Sequence, residues 1–400
     1  MEDIAKTKSS RKSCLKWIII PSLFLLLAEL IIIINTELVP EVTYTFEEHC
    51  AAYNYTTETY SVITDDGYIL TLYRIPNTGS PVLFLHGLIV TSNSFILNQC
   101  TKGPAFVLAD QGFDVWLGNF RGTYLSRNHT TLSIDSDEFW DFTFEELYTY
   151  DIKAFVKFIK TKSKYQKVSA IGHSMGGVLL SLGLALYPDV YTPDIGLGIL
   201  FGTPPGKMNC SSYYINYICT DTMQFIFKFL GIKIYMDHIK STFMAKLSVN
   251  FPIISQMLVR EIMDFDINGG NTKDIAVYTY RNLGGINVNV LEHMRQFVYN
   301  KLENPKRYDY GDKKKNIMKY GSEEVPLIYY KNITTNVAIF NVEYDSIIPR
   351  EDSLLLKSLI PSSKLVFYKD DYKIDHAGLI TSCEQPQMKD VIDVIRLYES

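Results

Sequence analysis

The chain has 400 residues, of which 47% are hydrophobic and 21% charged, a composition that suits a globular enzyme with one substantial core. A formal net charge of −5 gives no reason to invoke a nucleic-acid partner. Internal repeats, low-complexity tracts and metal-ligand clusters are absent from the sequence, which argues against solenoid, disordered and metal-centred classes.

Lys6, Lys8, Arg11, Lys12 and Lys16 precede an apolar run from Trp17 to Ile34 that only Pro21, Ser22 and Glu29 interrupt. As a helix the run would measure about 27 Å, close to the ~30 Å hydrocarbon layer of a bilayer. Basic residues on its N-terminal side predict that 1–16 is a cytosolic tail and that the remainder is lumenal or extracellular. The exit Ile34-Asn35-Thr36-Glu37 has no small-x-small cleavage pattern. An uncleaved type II anchor over 17–34 is therefore favoured over a cleaved signal peptide, with Glu29 the residue that weakens it. Cys14 stands where acylation would add to the anchor. Glycosylation sequons at Asn54, Asn128, Asn209 and Asn332 all follow the run, as entry into the secretory pathway requires.

Beyond residue 43 the pattern predicts a β-hairpin over 58–75 and strands near 81–87, 114–118, 168–173, 195–201, 337–343 and 364–369. Helical periodicity near 103–111, 144–161, 175–187, 350–359 and 385–399 alternates with them. The alternation predicts an α/β fold, a mostly parallel sheet with helices on both faces. From about 204 to 335 it is interrupted by a stretch rich in aromatic residues, among them Tyr213, Tyr214, Phe225 and Phe227. A cap inserted in the domain would use such residues to pack on the core and to line an acyl-chain tunnel. Taken singly, each aromatic reads first as cap core, and Lys313-Lys314-Lys315 as a solvated loop.

The chemistry centres on Gly172-His173-Ser174-Met175-Gly176, which follows the apolar run Val168-Ser169-Ala170-Ile171 and precedes the helix-like Val178-Leu179-Leu180-Ser181-Leu182. Strand, tight turn with serine, then helix is the nucleophile elbow of an α/β-hydrolase. Its serine needs a histidine base and a carboxylate to orient that base, in the chain order Ser, acid, His. Of the seven histidines, His49, His86 and His129 precede the serine, His173 adjoins it, and His238 and His293 lie in the interrupting stretch. His376 remains as the base. The buried strand Val337 to Val342 leads into Glu343-Tyr344-Asp345, which puts Asp345 at a strand's C-terminal end and makes it the acid, ahead of Glu343 and Asp352. The oxyanion donors are assigned to the amides of Leu88, after the strand ending His86-Gly87, and of Met175.

The block Asp114-Val115-Trp116-Leu117-Gly118-Asn119-Phe120-Arg121-Gly122 resembles the acid-lipase family of α/β-hydrolases, which takes in gastric and lysosomal acid lipases and insect and fungal relatives. Thr64-Asp65-Asp66-Gly67-Tyr68, Ser126-Arg127-Asn128-His129, the run Glu138 to Glu146, Asn271-Thr272 and Tyr308-Asp309-Tyr310-Gly311 extend the likeness from about residue 43 to the C-terminus. The resemblance implies hydrolysis of triacylglycerols or sterol esters at a lipid–water interface, without metal or cofactor. The chain departs from the family pattern in Ala377-Gly378-Leu379-Ile380 after the base, in Met175 where Gln is common, and in its cysteines. Five cysteines follow the apolar run, so at least one is unpaired, and a local Cys210–Cys219 bridge is the first choice. Two other readings stay open: an acyltransferase or thioesterase on the same triad, and a silent lipid-binding protein, which loss of Ser174, Asp345 or His376 would have favoured.

Overall fold

The computed structural model describes residues 31–98, 102–238, 241–264 and 272–398. Most of the expected anchor, Trp17 to Leu30, lies outside them. Residues 31–35 are helical, and among the described residues no helix is long and apolar enough to cross a membrane.

The strands are, in chain order, β1 Glu58–Ile63, β2 Tyr68–Ile75, β3 Pro81–Leu85, β4 Asp114–Gly118, β5 Asn128–His129, β6 Val168–His173, β7 Ile195–Phe201, β8 Ile234–Tyr235, β9 Ile286–Asn287, β10 Asn336–Val342 and β11 Leu365–Tyr372. The main sheet runs β1-β2-β4-β3-β6-β7-β10-β11, with the short β5 on β2. Pairings of β1, β4 and β5 with β2 are antiparallel, and every pairing from β4 to β11 is parallel. Alternate side chains of one strand enter different cores, because successive residues point to opposite faces. Leu83 and Leu85 join Phe155, Ile159 and Leu179 on one face, while Val82 and Phe84 join Phe106, Val391 and Ile395 on the other. Helices Ile152–Lys162 and Met175–Leu186 cover the first face, Pro104–Asp110 and Met388–Tyr398 the second.

The helix expected near 144–161 is broken by one π turn, Leu147–Asp151. Asp151, fully buried at the end of that turn, accepts from the backbone N–H of Arg121 (3.0 Å) and from its Nε (2.7 Å). Arg121 also donates to both oxygens of Asp66, at 2.6 and 2.9 Å. Asp114 binds Arg74 Nε (2.7 Å) and Trp116 Nε1 (2.8 Å). The most distinctive motifs of the sequence thus build a buried polar frame that fixes β2, β4 and the π turn to one another.

Between β7 and β10 the chain leaves the main sheet for the helices Tyr213–Ile218, Asp221–Phe229, Ser241–Asn250, Pro252–Met263, Thr272–Asn282, Val288–Tyr299 and Lys313–Tyr320, with β8 and β9 paired apart from the main sheet. The three lysines expected in a loop instead open the last of these helices, because the Asp312 side chain caps it by accepting from Lys314 N at 2.8 Å.

The expected Cys210–Cys219 bridge is not formed. Both are free thiols, as is Cys50, whereas Cys383 is disulfide-bonded. Cys210 turns its sulfur toward the carbonyl of Ser346, while Cys219 ends helix Tyr213–Ile218 with its side chain packed in the apolar core. Burial pushes both thiols up to about 12, which suppresses the thiolate that oxidation needs.

Candidate active site

The elbow takes its shape from close backbone packing. Ser174 joins β6 to helix Met175–Leu186 at φ 53° and ψ −117°, a left-handed conformation that a non-glycine residue holds only where its surroundings dictate it. Its N–H donates to Phe201 O on β7 at 2.8 Å. A Cβ on Gly172 would lie 2.5 Å from the Gly176 backbone, and one on Gly176 would lie 2.2 Å from Leu85 O. These two glycines let helix and strands meet behind the serine.

At the far edge of the parallel sheet, the loops after β10 and β11 carry Asp345 and His376. His376 Nδ1 lies 2.7 Å from Asp345 Oδ2, with both side chains almost wholly buried. The other carboxylate oxygen accepts from the N–H groups of Ile347 (2.9 Å) and Ile348 (2.6 Å), so the acid cannot rotate freely. Donation from Nδ1–H leaves the Nε2 lone pair as the basic site. Burial disfavours the charged imidazole, but the Asp345 charge and hydrogen bond outweigh it and hold the His376 pKa above the ordinary histidine value. The other acids are directed elsewhere: Glu343 is exposed, and Asp352 accepts from Asn209 N at 2.7 Å.

One cleft gathers Leu88, His173, Ser174, Met175 and His376. Apolar side chains make up most of its wall. Tyr214, Ile215, Ile262, Met263, Met294 and Phe297, all from the chain between β7 and β10, form much of that wall. Met175 is the first residue of its helix, and its N–H therefore has no acceptor within the helix. Leu88 follows Gly87 past the end of β3, beside a second left-handed residue, Ile89 at φ 56°.

The remaining histidines have structural surroundings. His86 accepts from Phe120 N through Nε2 (3.2 Å) and donates through Nδ1 to Gly87 O (2.9 Å), and burial lowers its pKa to about 4. His173, lowered to about 3 by burial and then by His376, stays neutral and donates from Nε2 to His376 O at 3.2 Å. His49, His129 and His238 bond to backbone carbonyls, and His293 is buried against Phe144 and Phe297.

Asp264 escaped the sequence reading. It ends helix Pro252–Met263 at φ 49°, and its carboxylate accepts from Ser346 N (2.9 Å), Ser346 Oγ (2.7 Å) and His376 N (3.3 Å). One insertion residue therefore grips both loops that carry the acid–base pair. No local motif announces it, since its partners lie 82 and 112 residues away. Of the sequon residues, Asn54, Asn128, Asn209 and Asn332 are all exposed, but the Asn209 amide also donates to Asp352.

Residues 46–99 match the family described as a partial alpha/beta-hydrolase lipase region, and residues 80–190 match the alpha/beta hydrolase fold. The chain is 30% identical over 374 residues to human gastric triacylglycerol lipase, covering 89% of this chain and 92% of that protein. It is 28% identical over 381 residues to human lysosomal acid lipase/cholesteryl ester hydrolase, covering 90% and 92%. Mouse lipase member K is 28% identical over 376 residues, with the same coverage of 90% and 92%.

Proposed function

The chain belongs to the acid-lipase family of α/β-hydrolases, and from that premise we propose that it cleaves the carboxylic ester bonds of neutral lipids, triacylglycerols or sterol esters, through an acyl-enzyme on Ser174. His376 Nε2 takes the hydroxyl proton as Ser174 Oγ attacks the ester carbonyl. The oxyanion that forms is held by the amides of Leu88 and Met175. Collapse expels the alcohol, which takes its proton from His376, and a water activated by the same imidazole then releases the fatty acid. Asp345 stays ionised throughout, orienting His376 and stabilising its charged form. The observation that carries this reading is the buried 2.7 Å His376–Asp345 pair, behind an apolar cleft that also holds Ser174 in its left-handed turn. An apolar wall drawn from the insertion suits acyl chains and supports a cap role for about 204–335.

The localisation that fits this reading is the secretory pathway, with 17–34 as an uncleaved anchor and the catalytic domain lumenal or extracellular. Basic residues before the run and exposed sequons after it support that topology.

Purified wild type should hydrolyse members of a panel of tributyrin, triolein and cholesteryl oleate and take up an organophosphonate on Ser174. Ser174→Ala should abolish the labelling and lower hydrolysis by about 10⁶-fold without loss of fold. Labelling that persists on another serine would refute the assignment.

A further inference from the structure

Arginines that this fold withdraws from water hold carboxylates: Arg74 pairs with Asp114, Arg121 with Asp66 and Asp151, and Arg307 with Glu145. Arg281 is different. It lies near the C-terminal end of helix Thr272–Asn282 and is 1% exposed, yet among the described residues no carboxylate pairs with it. Its Nη2 donates to Thr45 O at 3.3 Å, while Nε and Nη1, both shut off from solvent, have no acceptor. Burying a charge without a partner is far more costly than burying a neutral polar group, because nothing replaces the water that the ion has lost.

Three segments join at this residue. Thr45 caps helix Phe46–Ala52, and the Arg281 carbonyl accepts from Asn93 Nδ2 at 2.8 Å and from Thr91 Oγ1 and Tyr124 OH at 3.4 Å. The titratable groups within reach of its charge do not neutralise it. Burial pushes the Cys50 thiol up to about 12 in spite of Arg281, so that thiol stays protonated. Burial likewise keeps Tyr73 and Tyr124 above the ordinary phenol value and neutral. Glu48 is turned to the Thr45 N–H at 2.8 Å in an exposed capping box, and Glu47 accepts from Thr59 Oγ1 at 2.5 Å. His49, lowered to about 3 by burial and then by Arg281, adds no second cation. Burial lowers Arg281 only to about 10, so a single positive charge persists in a closed junction.

We propose that the Arg281 guanidinium binds a small monovalent anion of the halide class, held by Nε–H and Nη1–H. One negative charge neutralises the guanidinium, whereas a divalent oxyanion would leave a net charge in the interior. The Cys50 thiol and the Tyr73 hydroxyl, both of which feel the Arg281 charge, carry protons that such an ion accepts. Bound there, the ion ties helix Phe46–Ala52 and helix Thr272–Asn282 to the loop at Thr91 and Asn93, so its binding energy adds to the stability of that junction. Arg281, Thr45 and Cys50 do not line the cleft that holds Ser174, and the anion site does not depend on the ester-hydrolase reading.

Full-length protein moved from sodium gluconate to sodium chloride of the same ionic strength should gain about 3 °C in melting temperature relative to Arg281→Met, which has neither the charge nor the need of a partner. The gain should level off as chloride rises, as it does for one saturable site, and sodium bromide should reproduce it. Equal shifts in wild type and Arg281→Met would mark a general salt effect and overturn the inference. A direct measurement needs no variant and decides the matter if Arg281→Met fails to fold: crystals of the wild type grown in sodium bromide should show anomalous bromine scattering in hydrogen-bond contact with Arg281 Nε and Nη1. Water alone at that position would overturn the assignment.

Discussion

In the proposed mechanism His376 acts as a base only while its imidazole is neutral, so the direction of its pKa shift fixes the acid side of the expected pH profile. Because Asp345 raises that pKa, kcat/KM on a soluble ester should fall as pH drops through a midpoint above the ordinary histidine value. Asp345→Asn removes the charge and leaves burial, which works the other way; the midpoint should move to lower pH while kcat falls about 10⁴-fold. A pH–rate series on both proteins checks the pair, and an unmoved midpoint would remove Asp345 from its role. Asp264 offers a second test at this scale, since it bonds to the backbone on both sides of the acid–base pair without facing the cleft. Asp264→Asn should lower kcat roughly ten- to a hundredfold with little change in KM, because small misplacements of reacting groups are costly. It should also move the acid limb downward, as its charge is among those that raise His376. A merely structural residue would change the melting temperature and leave that limb in place.

Among the elements, the frame built by the Asp114–Gly122 block is what holds the sheet's antiparallel end to the π turn. Arg121 is wholly buried with Asp151, so Arg121→Met would leave a carboxylate in the interior without its partner. Breaking such a pair on one side costs about 3–5 kcal/mol, whereas replacing both members with apolar residues is close to neutral. Urea unfolding should show the full loss for Arg121→Met and recovery of most of it for Arg121→Met with Asp151→Leu. The elbow works by a different means, steric permission: Gly172 and Gly176 act through the absence of a side chain, and the polar frame does not reach them.

Across the whole molecule, the proposed site draws on three separate parts of the chain: the turn after β6, the loops after β10 and β11 that carry Asp345 and His376, and residues between β7 and β10 that line the cleft. Topology is the property most exposed to experiment. The full chain should resist carbonate extraction, keep its N-terminus near Met1, and lose mass on glycosidase treatment. Asn54, Asn128 and Asn332 should carry the glycans, with Asn209 bare because its amide is held by Asp352. Recovery of a soluble form beginning between about residues 35 and 45 would identify a cleaved signal peptide instead.

The α/β alternation and the tight turn that carries Ser174 were legible in the chain, because they rest on local signals, apolar runs and glycine spacing, and the same signals led to Ser174, Asp345 and His376 as the proposed triad. The same local signals gave the eight longer strands to within a few residues, but not the two-residue β5, β8 and β9, which are too short to carry a periodic pattern. What the sequence left undecided depends on chain segments far apart. The purpose of Arg121 appears only when Asp66 and Asp151 close around it, the free state of Cys210 and Cys219 follows from where each sulfur packs, and Lys313 joins a helix because Asp312 caps it. Asp264 belongs to the same class: its grip on loops 82 and 112 residues away is settled only when the chain between β7 and β10 has packed over the sheet.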